Sequence, residues 1–257
     1  MLRIAVIISL SVSLLFGEIT GRDIMEKVNA HPAPKSKMST IKLTIISVKR
    51  GKEKTRVREI VRYQKFYSGG KFKSKSLIRF LKPPDVRGIG FLNWNYRNGK
   101  NEQWLYLPAL GRVKRIAGRA RSGSFMGTDF TYEDLGNRNL DNDTYSLVGE
   151  DSLSGIPCYV VEAKPKNKKS IYSKRIAWVE KNNWLIKKIE FYDRKGKLLK
   201  ILNIPQHEKR GSYWQVPKMT MENVQTGHKT IMEISAVKFD TGLKDEYFTE
   251  RFLMRTD

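Results

Sequence analysis

Apolar and polar residues alternate with a period of two over most of this chain, the signature of half-buried antiparallel strands. Ile41, Leu43 and Ile45 alternate with Lys42 and Thr44, and Ile60, Arg62, Gln64 and Phe66 alternate with Val61, Tyr63 and Lys65. The same reading predicts strands near Ser76–Leu81, Glu102–Leu107, Thr144–Glu150, Cys158–Ala163, Ile171–Glu180, Leu185–Tyr192, Leu198–Ile204, Tyr213–Val224 and Lys229–Phe239. Turn-forming runs separate them, among them Ser68-Gly69-Gly70, Asn98-Gly99, Arg194-Lys195-Gly196 and Thr226-Gly227. A meander of about ten strands either splits into two packed layers or curls toward a barrel.

Three stretches break the period. Gly21–Ala30 reads as a short amphipathic helix with Ile24, Met25 and Val28 on one stripe. Asp245–Met254 reads as a closing helix that turns Phe248, Phe252 and Leu253 toward the sheet. Between them, Pro108–Leu140 is rich in Gly and Arg and has no clear periodicity, which suits a long loop or lid with a short helix at Thr131–Leu135.

The first residues place the rest. Arg3 is followed by an apolar run from Ile4 to Phe16 and then Gly17, the layout of a secretory signal peptide. As a helix the run would cover roughly 20 Å against about 30 Å of bilayer hydrocarbon, so a membrane span is the weaker reading. Residues 1–17 are therefore expected to be a cleaved leader and 18–257 a single soluble periplasmic domain. Cys158, the only cysteine, precludes an intramolecular disulfide and sits in an apolar setting that suits a buried, inert thiol.

The formal charge of +23 is spread over nearly every segment. For an exported protein such a surface suits anionic lipid head groups, lipopolysaccharide or acidic proteins, not nucleic acid. A solvated basic surface without a specific partner explains most single lysines equally well.

Little in the chain points to catalysis. His31, His207 and His228 stand apart in sequence, and no Gly-x-Ser-x-Gly or Ser-x-x-Lys nucleophile motif occurs. Asp129 with Glu133 and Asp134 could form an acidic site, but equally a helix start with acids in its first turn. No catalytic residue, metal or cofactor is expected.

Two segments are more specific. One runs from Arg79-Phe80 through Pro83-Pro84 and Gly88 to Phe91-Leu92. The other joins Trp104-Leu105-Tyr106-Leu107-Pro108, a basic run to Ile116, and Phe125-Met126-Gly127-Thr128-Asp129-Phe130-Thr131-Tyr132-Glu133-Asp134-Leu135. Together they resemble the outer-membrane lipoprotein-sorting proteins, the LolA-like periplasmic carriers, in a branch apart from the lipoprotein carrier itself. The resemblance implies a mainly β fold: a strongly curved antiparallel sheet forming an unclosed half β-barrel, with a few helices across its open side. It also implies an apolar cavity for lipid. Relatives in this branch are associated with RND-type exporters, which implies an inner-membrane exporter and an outer-membrane acceptor as partners, and a lipid or lipidated protein as cargo.

Within that frame, Trp104 and Tyr106 share one strand face and Leu105 and Leu107 the other, so either face could line a cavity. Phe125, Met126 and Phe130, apolar residues in a Gly-flanked loop, are lid candidates, and Met adapts to variable chains. Arg112, Lys114, Arg115, Arg119 and Arg121 beside them could hold an anionic head group or dock on an anionic membrane surface. The competing expectation is an adaptor protein of an envelope complex that binds through its basic surface and has a filled interior.

Overall fold

The structure, a computed structural model, describes residues 18–99, 101–136 and 138–255, so the leader expected at 1–17 lies outside the described residues. Its strands are β1 (Ser36–Lys49), β2 (Lys52–Phe66), β3 (Phe72–Lys82), β4 (Gly90–Tyr96), β5 (Glu102–Leu107), β6 (Arg112–Arg115), β7 (Asp143–Leu153) and β8 (Ile156–Pro165). They continue with β9 (Tyr172–Glu180), β10 (Ile186–Asp193), β11 (Leu198–Asn203), β12 (Glu208–Arg210), β13 (Tyr213–Gln215), β14 (Lys218–Asn223) and β15 (His228–Phe239). Three short helices, α1 (Gly21–Asn29), α2 (Tyr132–Leu135) and α3 (Glu250–Leu253), complete the set.

Thirteen strands make one antiparallel sheet in the order β6-β5-β4-β3-β2-β1-β15-β14-β11-β10-β9-β8-β7. Each half is a meander, because hairpin turns pair neighbours in sequence at small entropic cost. The long-range step is the return of β15 to β1, which sets Leu43 opposite Met232 and Ile45 opposite Thr230. The free edges are thus β6 and β7, and residues 116–142 connect one to the other.

That connection reveals the curvature. Inward side chains of the first half include Ile41, Leu43, Ile60, Phe80, Phe91 and Leu105, and they pack on Phe125. In the second half Tyr172, Phe191 and Met221 pack on Phe130. Phe125 and Phe130 belong to one small hairpin, so the two halves of the sheet wrap around it, which a flat sheet could not do. The mainly β, unclosed architecture expected from the sequence is the one observed.

The other face is covered in part. Leu77, Leu92, Trp104 and Tyr106 lie under Phe248 and Leu253 of the C-terminal segment. Arg79 donates to the carbonyls of Phe252 and Leu253 at 2.9 and 2.8 Å, and Trp94 Nε1 to that of Phe248 at 2.8 Å. On the inner face at the β7 edge, α1 presses Ile24 against Val161, Ala177 and Val179. A Cβ at Gly21 would fall 2.6 Å from the Ser146 backbone, so only glycine lets this helix start so close to β7.

Three expectations are corrected. The predicted strand Tyr213–Val224 is cut at Pro217, which has no N–H for a ladder, and β13 pairs instead with β12 outside the large sheet. The closing helix is interrupted: a 3-10 turn at Asp245–Phe248 precedes α3, which Thr249 caps by accepting from the Phe252 amide. The stretch predicted as loop from Pro108 contains β6, whose four residues are too few to display a period.

Candidate functional site

The hairpin that closes the inner face is built from its own sequence. Phe125 N–H donates to Phe130 O at 2.7 Å and Thr128 N–H to Phe125 O at 3.0 Å, with Met126 and Gly127 at the turn. Both have positive φ, 52° and 73°, as a tight two-residue turn demands. Glycine takes that conformation freely, while Met126 is held in it by Arg58, whose guanidinium donates to the Met126 carbonyl. Thr128 Oγ1 donates to Phe125 O at 2.7 Å and Ser124 Oγ to Thr128 O at 2.5 Å, so the hairpin is internally tied.

Packing fixes one side of it and charge the other. The Phe125 ring lies 5.7, 5.3 and 5.7 Å from the rings of Phe80, Phe91 and Tyr132. Toward the second half, Asp129 accepts from Thr230 Oγ1 at 2.7 Å and from His228 Nδ1 at 2.7 Å, and its amide donates to Thr230 Oγ1 at 2.9 Å. Lys200 Nζ reaches the Asp129 carbonyl at 3.0 Å and Asp134 Oδ2 at 2.6 Å. Tyr172 donates its hydroxyl to Asp134 Oδ1 at 2.9 Å, and burial followed by the Asp134 charge raises its pKa well above the usual phenol value. Asp134 also completes the capping box of α2 with Thr131. Glu133 accepts from Ser170 Oγ at 2.8 Å and pairs with Arg138 at 3.2 Å. The three acids flagged from the sequence therefore anchor the hairpin and α2 to β9, β11 and β15.

Space remains on both sides of the hairpin. An open groove of about 600 Å³ lies toward the tip of the β1–β2 hairpin, where Arg56, Asp129, Lys200 and His228 line it. Opposite is a cavity of about 210 Å³ between β1, β2, β14, β15 and the β12–β13 hairpin. Ile41, Val216, Met219, Met232 and Ile234 form its apolar wall, and Lys37, Ser39, Arg62, Gln64, His207 and Gln215 its polar one. Register explains the mixture: Ser39 pairs with Arg62 and Lys37 with Gln64, all continuing the inward phase of Ile41 and Ile60.

The cations in this wall are unneutralised. Neither Lys37 nor Arg62 has an ion pair with a described residue, and Arg62 Nε is shut off from solvent without a hydrogen-bond partner. Burial, helped by the Arg62 charge, lowers Lys37 to about 8, and burial lowers Arg62 to about 10. His207 is lowered to about 4 by burial, with Lys187 and His31 adding to it, so it is neutral near pH 7. An unfolded lysine titrates near 10.4, so below pH 8 folding carries the full penalty of this half-buried charge. That penalty fades as pH rises from 8 toward 10, where the unfolded chain holds a proton the folded one has lost. Lys37→Met is expected to stabilise the protein by on the order of 2 kcal/mol at pH 7, and by much less at pH 10. Urea melts at the two pH values measure this, and equal effects at both would refute the charge penalty.

The sequence-predicted residues separate into three groups. Phe125, Met126 and Phe130 come together in the closing hairpin, with Phe125 and Phe130 buried. Trp104 and Tyr106 do not join them: strand phase puts both on the opposite face, where Trp104 meets Trp94 at 4.7 Å beneath the C-terminal segment. Leu105 and Leu107 are the inward pair of β5. Of the basic set, Arg112, Lys114 and Arg119 are exposed on the β6 edge and the turn after it. Arg115 pairs with Glu102, and Arg121 donates to the Asn101 carbonyl. Lys37, Arg62, His207 and Gln215 escaped sequence reading, although the inward phase of Arg62 and Gln64 with Ile60 is visible in the alternation.

Comparison with known proteins agrees with this geometry. A family model that describes an uncharacterized protein matches residues 73–255. An outer membrane lipoprotein-sorting protein domain from Vibrio parahaemolyticus is 34% identical, with 91% of this chain and 98% of that one covered and a TM-score of 0.85. A DUF1329 family protein from Desulfovibrio piger is also 34% identical, covering 91% and 97% of the two chains at a TM-score of 0.84. A LolA superfamily protein from Nitrosomonas europaea shares the fold at 19% identity, covering 91% and 99% with a TM-score of 0.67. No curated protein matches the sequence.

Proposed function

The chain belongs to the outer-membrane lipoprotein-sorting family in its DUF1329 branch, and on that premise we propose that it is a non-enzymatic periplasmic carrier of lipid acyl chains. The cargo is a free lipid or the lipid of a lipoprotein, received from an inner-membrane exporter and yielded to an outer-membrane acceptor. The observation that carries this reading is an apolar inner face closed by a hairpin that plugs it with Phe125 and Phe130.

The physics of transfer favours such a device. A sixteen-carbon chain exposes apolar surface worth about 12 kcal/mol at roughly 0.8 kcal/mol per methylene, so it does not cross water unescorted at a useful rate. The 210 Å³ cavity is smaller than the roughly 300–1,000 Å³ of a ligand pocket. Loading a whole chain on this apolar side thus requires the hairpin to swing out and the acyl chain to take the place of its aromatic rings. On release the rings return, so the empty carrier never exposes its interior. Among the described residues no helix is long and apolar enough to cross a membrane. Arg112, Lys114 and Arg119, exposed on the β6 edge and the turn that leads on to the hairpin, suit contact with anionic head groups while it opens.

The test is native extraction of the protein from a bacterial periplasm, mass spectrometry of the lipid released, and titration with a fluorescent fatty acid. A stoichiometric lipid and saturable probe binding are expected. Protein that is empty and rejects the probe would sink the carrier and favour the adaptor, for which the filled interior is the supporting observation.

A further inference from the structure

Six buried side-chain polar atoms lack a hydrogen-bond partner among the described residues: Arg62 Nε, Asn93 Oδ1, Gln103 Oε1, Arg175 Nε, His207 Nδ1 and Gln215 Oε1. Three of these residues, Arg62, His207 and Gln215, line one cavity, the 210 Å³ space beside the hairpin, with their orphaned atoms set just behind its surface. Lys37, also on its wall and with no ion pair to a described residue, adds a second cation. Orphaned buried polar groups cost stability, and a cluster of them in one cavity marks a place where something else supplies the partners.

We propose that this cavity seats the anionic head, a carboxylate or a phosphate, of an amphiphile whose tail runs along Ile41, Met232 and Ile234 toward the hairpin. The assignment rests on the carrier reading and adds the cargo's charge to it. Arg62 offers a planar fork of donors matched to a carboxylate or phosphate, and Lys37 a point charge beside it. Partial burial acts on both: with no described carboxylate offsetting it, a ligand anion meets two cations where solvent screening is reduced. His207, neutral, has a ring nitrogen free to donate, and Gln215 Oε1 is an acceptor suited to a hydroxyl on the head group. The Gln215 amide is steadied by Glu208, which accepts from its Nε2 at 2.9 Å, so that acceptor is held in place.

The tail has a path. Ile41, Arg62 and Met232 line both this cavity and a smaller one of about 20 Å³ that Phe125, Phe130 and Leu135 cap. A head group at Arg62 therefore points its chain at the rings that must move to admit it. One site then selects cargo by charge while the other accepts any chain.

The experiment compares dansyl-undecanoic acid with its uncharged methyl ester on the full mature protein, in wild type, Arg62→Gln and Lys37→Met. The acid is expected to bind at least about tenfold more tightly than the ester. Each substitution should remove most of that preference by weakening acid binding far more than ester binding, with a thermal midpoint equal to or above that of wild type. Equal binding of acid and ester, or a preference that survives both substitutions, overturns the head-group site and leaves the carrier standing. Failure of both probes to bind takes the carrier reading down, and this inference with it. Inorganic phosphate separates the sources: weak competition with the acid is expected, and tighter binding than the acid would assign a free-phosphate site and overturn the amphiphile.

Discussion

Lys200→Met is expected to cost about 3 to 5 kcal/mol of folding free energy and to loosen the hairpin that closes the sheet. Lys200 and Asp134 form an ion pair at 2.6 Å with side chains only 3% and 8% exposed. The lysine also bonds the Asp129 carbonyl and lies over the rings of Tyr172 and Phe191 at 5.1 and 5.2 Å. Methionine keeps the apolar stem and its packing, so the loss is mainly electrostatic: Asp134 stays buried with its charge uncompensated. The double variant Lys200→Met with Asp134→Asn should recover part of the loss, because no charge is then stranded. Equilibrium urea unfolding gives the free energies, and limited proteolysis of residues 116–142 reports the hairpin. A single variant within about 1 kcal/mol of wild type, with the segment still protected, would mean that aromatic packing alone holds the closure.

Phe125→Ala is the second large effect, and its sign differs between stability and binding. The ring is 3% exposed and meets three other aromatic rings, so its removal should cost about 3 to 5 kcal/mol through lost burial and the void left behind. That void adjoins the space a carried chain would occupy. If the hairpin ring and the acyl chain compete for one volume, the variant binds a fluorescent fatty acid more tightly than wild type. Saturating probe should then restore part of its lost thermal stability, since a ligand that binds only the folded state stabilises it. Melting curves with and without probe measure both quantities. A variant that is destabilised yet binds the probe no better would place the chain elsewhere and make Phe125 a core residue only.

Both results turn on a segment whose importance, but not whose working, was legible in sequence. The run from Phe125 to Leu135 stood out because it broke the strand period while holding aromatic and acidic residues. Its turn could be suspected from Gly127, yet the long-range partners of Asp129 and Asp134 lie 38 to 101 residues away, on β9, β11 and β15. Local pattern carries no information about such pairings. The same holds for β4, where Phe91 points inward and Leu92 outward under the C-terminal segment. With both faces covered, alternation disappears, and a strand of this kind cannot be told by period from any short apolar run.

What the sequence determined by itself was the local geometry: strand phase, most hairpin positions and the amphipathic helix that begins at Gly21, all set by contacts between near neighbours. Phase even fixed that Trp104 and Leu105 face opposite ways. Which way was inward, only the tertiary structure decided, because it depended on where the C-terminal segment and the closing hairpin came to rest. The same is true of Lys37 and Arg62. Their inward phase was written in the alternation, but whether an inward cation is neutralised depends on every element that closes over it, and here no described carboxylate does.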